Sequence, residues 1–386
     1  MTGASQVNPC FLPGSTLGLL GGGQLGRMFA FAARRMGYQV HVWEPLENSP
    51  AGQVCDKQYS LPYEERDCVK EFARYTDLVT FEFENIPSET LTALAIERPV
   101  RPSAEVLRIC QNREREKNFL LSQGYPLPAY RIVNSAASLR TAVSELGMPC
   151  ILKTVDCGYD GKGQVKINEE QNLEAIWAAF HAERGVVEAW VNFYKEISII
   201  CARSPNGSLS AYPISENVQT NHILDYSIIP ARLDRQIQLE VEMLARDITE
   251  ALGVVGLLAI EFFLTHDGRL LVNELAPRPH NSGHFTVDAC ITSQFEQQLR
   301  AICNLPLGST RLLSPVVMVN LLGEAWDKQL PDWNLILSEP IAALHLYGKS
   351  PPRPGRKMGH YCILGNTIEE SLDKALALKS AIYGGT

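Results

Sequence analysis

Residues 259–276 read Ala259-Ile260-Glu261-Phe262-Phe263-Leu264-Thr265-His266-Asp267-Gly268-Arg269-Leu270-Leu271-Val272-Asn273-Glu274-Leu275-Ala276, two apolar-rich runs on either side of an aspartate-glycine pair. Such a pair between such runs is the strongest short-range signal for a β-hairpin. A two-residue turn there makes facing partners of His266 and Arg269 and, further up, of Glu261 and Glu274. Opposed side chains in a sheet have Cβ atoms about 5 Å apart, and two carboxylates so placed, at an effective dielectric of ~20, repel by roughly 3 kcal/mol. The pair needs a counter-charge. A Mg²⁺ ion bridging Glu261 and Glu274 supplies one, since that ion prefers oxygen ligands and substrate phosphates. Protonation of one glutamate, or a slipped register that sends the two to opposite faces, also relieves the repulsion. The apolar neighbours Ala259-Ile260 and Leu275-Ala276 put the pair in a strand core, where unpaired charge is costly.

Downstream of the hairpin, Pro277-Arg278-Pro279-His280-Asn281-Ser282-Gly283-His284 is a loop stiffened by alternate prolines that presents an arginine, two histidines, an amide and a hydroxyl together. A loop this polar directly after a metal carboxylate reads as substrate contact. Upstream, Cys150-Ile151-Leu152-Lys153 is an apolar strand carrying one lysine, and Gly158-Tyr159-Asp160-Gly161-Lys162-Gly163-Gln164 follows. No Walker A pattern runs through it. Three glycines between two strands form a flap whose amides can close over phosphate oxygens, with Lys153 as a fixed charge below; the bland reading is a long hairpin with a solvated lysine.

At the amino end, Thr16 to Leu20 enters the turn Gly21-Gly22-Gly23-Gln24-Leu25-Gly26, an amphipathic helix follows from Gln24 to Met36 with Gly37 at its C-cap, and a second strand runs from Tyr38 to Trp43. With Glu44 at the end of that strand, this is the local fingerprint of a dinucleotide site, although the same turn serves any phosphate at a helix amino terminus. Alternating helix and strand patterns continue to Ser88, which makes an open α/β sheet of the first region. From about Tyr130 the pattern changes to strands with hairpin turns, Asn206-Gly207 marking one of them, and a long helix spans roughly Leu233 to Leu252. The last part holds strands at Val316 to Leu322 and Ile341 to Tyr347, a basic Pro/Gly loop, another strand and a helix Ile368 to Ile382.

The 386 residues, 45% hydrophobic and 20% charged, suffice for a large core in two or three domains. A net charge of -8 disfavours a nucleic-acid partner, so any anionic ligand must meet a local cluster of cations. The apolar run from Ala251 to Ile260 is far short of the ~20 residues of a membrane span, and residues 1–15 read as a short leader without signal-peptide character. Ten cysteines without a C-x-x-C pattern suit reduced thiols in a cytoplasmic enzyme.

Taken in order and spacing, Gly21 to Met28, Glu82-Phe83-Glu84-Asn85, Gly158 to Gln164, Asn273 to His284 and Arg353-Pro354-Gly355-Arg356-Lys357-Met358-Gly359-His360 resemble the ATP-grasp superfamily and, within it, the 5-(carboxyamino)imidazole ribonucleotide synthases of purine biosynthesis. The resemblance covers Gly21 to about Ile382. It implies a mixed α/β and α+β chain: an amino-terminal open parallel-sheet domain over 1–112, a central ATP-grasp region over 113–306 and a small β-rich carboxy-terminal domain over 307–386. It also implies that ATP lies between flap and hairpin sheet, with Arg113 and Lys153 on its phosphates and Gly158, Tyr159, Asp160, Gly161, Lys162, Gly163 and Gln164 above them. Glu188, Ala189, Trp190 and Val191 would form the adenine connector, Glu196 would hold the ribose hydroxyls, and Asn273 and Glu274 would complete the nucleotide site. Glu261 and Glu274 fall where the family keeps its Mg²⁺ ligands. Gln24, Leu25, Glu82, Tyr159, Arg278, His280, Asn281, Ser282, Lys349 and Arg356 would bind aminoimidazole ribonucleotide.

The implied chemistry is attack of bicarbonate on the γ-phosphate of ATP, breakdown of carboxyphosphate to carbon dioxide and phosphate, and carbamate formation at the substrate amine. Lys153, Arg278 and Mg²⁺ would stabilise charge, while His280 would orient bicarbonate or move a proton. The family resemblance also suggests a homodimer. Two positions depart from the pattern: Gln219 stands where relatives often have histidine, and Cys157 precedes the flap, where Lys153 could activate its thiol. Two other activities compete. Formate-dependent glycinamide ribonucleotide transformylases share the layout but typically carry glutamate where Gln24 stands, and the glycine turn with Glu44 would suit an NAD-dependent oxidoreductase.

Overall fold

The structure, a computed structural model, describes residues 9–156, 163–168, 171–327 and 330–384. Three sheets organise these residues. The first is four-stranded and parallel, in the order Lys57–Tyr59, Gln39–Trp43, Thr16–Leu20, Leu78–Phe81. Its first crossover is the helix Gln24–Arg35, which ends as expected: Gly37 takes a φ of +83°, and the N–H groups of Gly37 and Tyr38 donate back to the carbonyls of Arg34 and Ala33. Trp43, Phe72 and Phe81 fill one side of this sheet, and Phe29, Ala33 and Val40 the other.

The second sheet has nine strands among the described residues and carries the site. From its free edge it runs Leu270–Ala276, Gly256–Thr265, Phe193–Arg203, Ser215–Thr220, Ile223–Ile229, Val316–Leu322, Lys357–Leu364 and Ala342–Leu346, with Leu209–Ala211 pairing Phe193–Arg203. The strands from 316 onward therefore extend the central sheet through the pairing of Tyr226 to Ile229 with Val316 to Val319, and form no sheet of their own. The helix Arg235–Ala251 packs Val241, Ala245 and Ile248 on one face against Ile197, Ile199, Ile260 and Phe262. Full burial of such side chains contributes about 1.5–3 kcal/mol each. A third, four-stranded antiparallel sheet, Tyr130–Val133, Gly185–Ala189, Cys150–Thr154 and Gln164–Ile167, stands apart with the helices Ala136–Leu146 and Leu173–Phe180 on it.

The hairpin of residues 259–276 reaches the expected pairing by an unexpected route. Its turn is not the two-residue type: Thr265 and Arg269 face each other across His266, Asp267 and Gly268, with Gly268 at φ +82° accepting the left-handed position and its N–H donating to the Thr265 carbonyl at 3.0 Å. Three-residue loops closed by a left-handed glycine are the next commonest hairpin solution. The His266–Arg269 pairing is thereby lost and the register displaced by one, so that Phe262 faces Val272. A bulge then absorbs Asn273 as an unpaired extra residue, and Glu261 faces Glu274 after all. Asn206-Gly207 likewise closes a hairpin through a longer turn, with Gly207 at φ +87°.

The first region is fastened to the second by the helix Gln294–Ile302, whose Phe295, Leu299 and Ile302 share a core with Leu25, Met28 and Phe29. Buried Gln298 stitches the two together: its side-chain oxygen accepts from the Leu257 N–H at 2.7 Å and its amide donates to the Thr80 hydroxyl at 3.0 Å. Gln298→Ala strands both groups, and a destabilisation of about 1–3 kcal/mol is expected in urea unfolding. An unchanged midpoint would contradict this role.

Candidate active site

On the face of the central sheet opposite the helix Arg235–Ala251, Glu261 and Glu274 lie side by side, and Glu196 follows on the next strand, where it faces Phe263. Burial, then the charges of Glu274 and Glu196, push the Glu261 carboxyl well above its ordinary range. Burial and Glu274 raise Glu196 to about 7, against the pull of Lys153. The bulge turns Asn273 toward the same face, its amide nitrogen 3.4 Å from a Glu261 oxygen. The donor set is therefore carboxylate and amide oxygen, crowded and short of positive charge, which is what a hard divalent cation takes. Phe193 and Phe263 stack beside it at 4.9 Å between centroids.

Further cations come from the small sheet and the helix Arg113–Ser122. Lys153 Nζ lies 2.9 Å from one oxygen of Glu188, and Lys117 Nζ lies 3.1 Å from the other. Burial alone would raise Glu188, but the two ammonium groups overcome it and hold the carboxyl down at about 2. Glu188, expected only as part of the adenine connector, is thus also the counter-ion of this pair. Lys117 was not singled out from sequence. The only sequence signal is its spacing, four residues after Arg113 and three before Leu120 on one helical face, within a run of alternating charges. Neighbouring Glu116 accepts the Leu275 N–H at 3.0 Å and so ties the helix to the carboxylate strand. Arg113 is anchored at Thr154, donating to its carbonyl at 2.9 Å. Gln164 pairs with Lys153 across the strands, and Gly163 at φ +70° brings the chain against Thr154. Residues 157–162, with the remaining flap positions Gly158, Tyr159, Asp160, Gly161 and Lys162 and the thiol of Cys157, lie outside the described residues. Of the connector, Ala189 ends its strand with its N–H donated to the Ala129 carbonyl at 2.8 Å, Trp190 is exposed under Lys166, and Val191 is half-buried. Gln219 is exposed near the end of its strand.

The far end of the cleft is built by all three regions. Buried Glu82 accepts the Gly23 N–H at 2.6 Å and the Gly26 N–H at 3.2 Å, while Glu44 accepts the Gly22 N–H at 2.9 Å. The glycines allow this approach: a Cβ at Gly22 would lie 2.5 Å from Glu44, and one at Gly21 would lie 2.8 Å from Glu82. The amides that would cradle a dinucleotide's pyrophosphate are therefore filled by the chain's own carboxylates, and Glu44, the supposed ribose ligand, is occupied by the turn and by Tyr63. The fingerprint fails as an NAD site for that reason. Burial raises Glu82 to about 7, against the pull of its two amide donors and the charges of Arg278 and Lys349. Gln24 is half-buried at the start of the helix, whereas the Leu25 side chain lies in the core with Met28 and Phe29, leaving only its backbone for a ligand.

Arg278 pairs with Glu84 at 2.6 Å. His280 is clamped by buried Gln294, which accepts its N–H at 2.9 Å and donates to its carbonyl at 2.8 Å. Its Nε2 is 3.3 Å from Glu261, and its Nδ1 is 2.9 Å from the Ser282 hydroxyl. Burial, helped by Arg278 and Lys357, lowers its imidazole to about 3, so it is neutral at pH 7. Both amide atoms of buried Asn281 lack a protein partner, as a ligand-facing group would. The basic loop is braced from behind by His345 stacked on His360 at 4.5 Å and by Tyr347 bonded to His360 at 2.7 Å; it meets the first domain where Gln53 donates to the Gly348 carbonyl. Arg356 donates to the Pro351 carbonyl at 2.7 Å, and Lys357, at the loop's end, bears electrostatically on both Glu261 and His280.

Three family models match successive parts of the chain. Family models match at residues 15–111 (ribonucleotide synthetase preATP-grasp domain), 118–295 (ATP-grasp domain) and 316–374 (phosphoribosylaminoimidazole carboxylase C-terminal domain). The chain is 46% identical to N5-carboxyaminoimidazole ribonucleotide synthase of Bacillus subtilis (strain 168) over 358 residues, 93% of each chain. A solved ADP complex of an N5-carboxyaminoimidazole ribonucleotide synthetase superposes with a TM-score of 0.93 at 44% identity, covering 98% of this chain and 99% of that one. The Aspergillus clavatus N5-carboxyaminoimidazole synthase bound to ADP and aminoimidazole ribonucleotide gives 0.89 at 32% identity, covering 95% and 98%.

Glu188→Gln would leave two buried ammonium groups without a counter-charge. A loss of about 3–5 kcal/mol in unfolding free energy is expected, larger than for any exposed pair such as Arg131–Glu145. An equal loss from Glu145→Gln, which breaks the exposed Arg131–Glu145 pair, would refute the shared-counter-ion assignment.

Proposed function

The chain belongs to the N5-carboxyaminoimidazole ribonucleotide synthase family, and from that premise we infer that it is an ATP-grasp ligase of purine biosynthesis. It carboxylates aminoimidazole ribonucleotide with bicarbonate and ATP, releasing ADP and phosphate. The observation that carries this reading is the three-carboxylate face of Glu261, Glu274 and Glu196 set between the Lys117–Glu188–Lys153 cluster and the Arg278–His280 segment.

A bicarbonate oxygen attacks the γ-phosphorus of ATP, the bond to the bridging oxygen breaks, and ADP leaves. Carboxyphosphate then divides into carbon dioxide and phosphate. The substrate amine adds to the carbon and gives up a proton, leaving the carbamate. In such transfers the protein supplies position and charge. Lys153, Lys117 and Arg113 meet the phosphates. Glu196 accepts from the ribose hydroxyls, and residues 188–191 hold the adenine. The oxygen donors of Glu261, Glu274 and Asn273 fit Mg²⁺, which when bound neutralises charge on the phosphates. Arg278, held in line by Glu84, and His280 face the transferring group, while Asn281, Gln24 and Glu82 hold the aminoimidazole. Lys349 and Arg356 take the ribonucleotide's 5′-phosphate. Glu82, raised to about 7 by burial, can accept or donate a hydrogen bond to the ring near neutral pH.

The enzyme acts in the cytoplasm as a homodimer. Its nine described cysteines are free thiols, and among the described residues no helix is long and apolar enough to cross a membrane. The dimer rests on resemblance alone, and light scattering in solution tests it.

ADP release should require aminoimidazole ribonucleotide and rise with bicarbonate; turnover of formate in its place would assign the chain to the transformylases instead. Glu274→Ala should abolish ATP cleavage. A variant that kept the wild-type dependence on Mg²⁺ would refute the metal assignment.

A further inference from the structure

Behind His280 a row of buried polar side chains crosses the central sheet. Ser227 Oγ donates to Asn217 Oδ1 at 2.8 Å, Asn217 Nδ2 donates to Ser198 Oγ at 2.9 Å, and Ser198 Oγ donates to Ser282 Oγ at 2.7 Å. Ser282 Oγ in turn lies 2.9 Å from His280 Nδ1. Three strands supply Ser227, Asn217 and Ser198, with Ser198 opposite Glu261 and Asn217 opposite Ser227, and the turn Asn281–Gly283 supplies Ser282. None of the four side chains is more than 8% exposed. Four such groups on a sheet otherwise lined with Ile200, Ala259, Ala276 and Phe285 are costly unless every one is satisfied, and here each is.

The row has a direction. Ser198, having accepted from Asn217, has its own hydrogen for Ser282. Ser282, having accepted from Ser198, has its own for His280. At the last link the backbone N–H of Ser282 also points at Nδ1, at 3.4 Å, and a peptide N–H can only donate. Nδ1 must therefore present its lone pair, and the ring hydrogen sits on Nε2, toward Glu261.

We propose that Ser227, Asn217, Ser198 and Ser282 form a directional relay that fixes His280 as its Nε2–H tautomer, so that this ring meets the bicarbonate-derived anion as a hydrogen-bond donor and not as a base. The proposal rests on the carboxylation reading and settles, for that reaction, between orienting bicarbonate and taking its proton. Ser282, expected at the substrate, is on this account a positioning residue whose hydroxyl is committed inward.

Two measurements on the full chain test it. In ¹⁵N-histidine-labelled protein, with His280 assigned by its absence from the His280→Asn spectrum, Nδ1 should resonate as the pyridine-type nitrogen and Nε2 as the pyrrole-type; the reverse pattern overturns the proposal. In Ser282→Ala, kcat should fall about tenfold while the KM for ATP stays within about twofold, as loss of a group that orients a ligand does. A variant with lowered stability but unchanged kcat would show the row to be merely structural and overturn it too. Should Ser282→Ala fail to fold, the wild-type spectrum decides. A wild-type enzyme without ADP release dependent on aminoimidazole ribonucleotide would sink the carboxylation reading, while the spectrum still reports the tautomer.

Discussion

Glu261, Glu274 and Glu196 occupy one face of three adjacent strands; Glu274 raises the cost of charging both Glu261 and Glu196, and Glu196 that of charging Glu261. A sheet core tolerates such crowding only where positive charge arrives from outside it. The surrounding fold is arranged for that arrival. The small sheet brings Lys153, the helix Arg113–Ser122 brings Lys117, and the far end of the central sheet brings Lys357. Lys153 and Lys117 are held by Glu188 and not by the three carboxylates, so their charge is compensated within the small sheet and its neighbouring helix.

The same separation explains why the cleft needs three regions. Glu82 and Glu44 close the glycine turn of the first region, so its helix terminus presents no open cradle of amides, and the polar groups that gather beside it are side chains. Those come from the segment after the hairpin, fastened by Gln294, and from the basic loop, fastened by the His345–His360–Tyr347 stack. Net charge conceals the arrangement, because an acidic chain gathers a few cations at each end of one cleft.

Much of the fold was legible in sequence. The strand-turn-helix at Thr16, the strand Val316–Leu322 and the helix Ile368–Ile382 stand where pattern and caps put them. The pairing of Glu261 with Glu274 was legible as well, though for an incomplete reason: a longer turn displaced the register, and the bulge at Asn273 restored it. Local turn rules could not foresee that correction, because the bulge depends on how the edge strand packs. Lys117 was hidden in a run of alternating charges whose burial only the packed helix reveals.

Sequence alone determined which chemistry-bearing groups the chain owns and which local elements carry them, because capping, strand periodicity and turn propensity act within a few residues. Tertiary structure decided which of those groups are available to a ligand. Glu44 became a filler of its own turn, Glu188 took on the role of a counter-ion, the Leu25 side chain became core, and Ser282 turned inward to His280. The physical reason is that a polar group's partner is set by what burial brings within about 3 Å of it, and such neighbours can stand far away along the chain, 35 positions for Glu188 on Lys153 and 84 for Ser282 on Ser198.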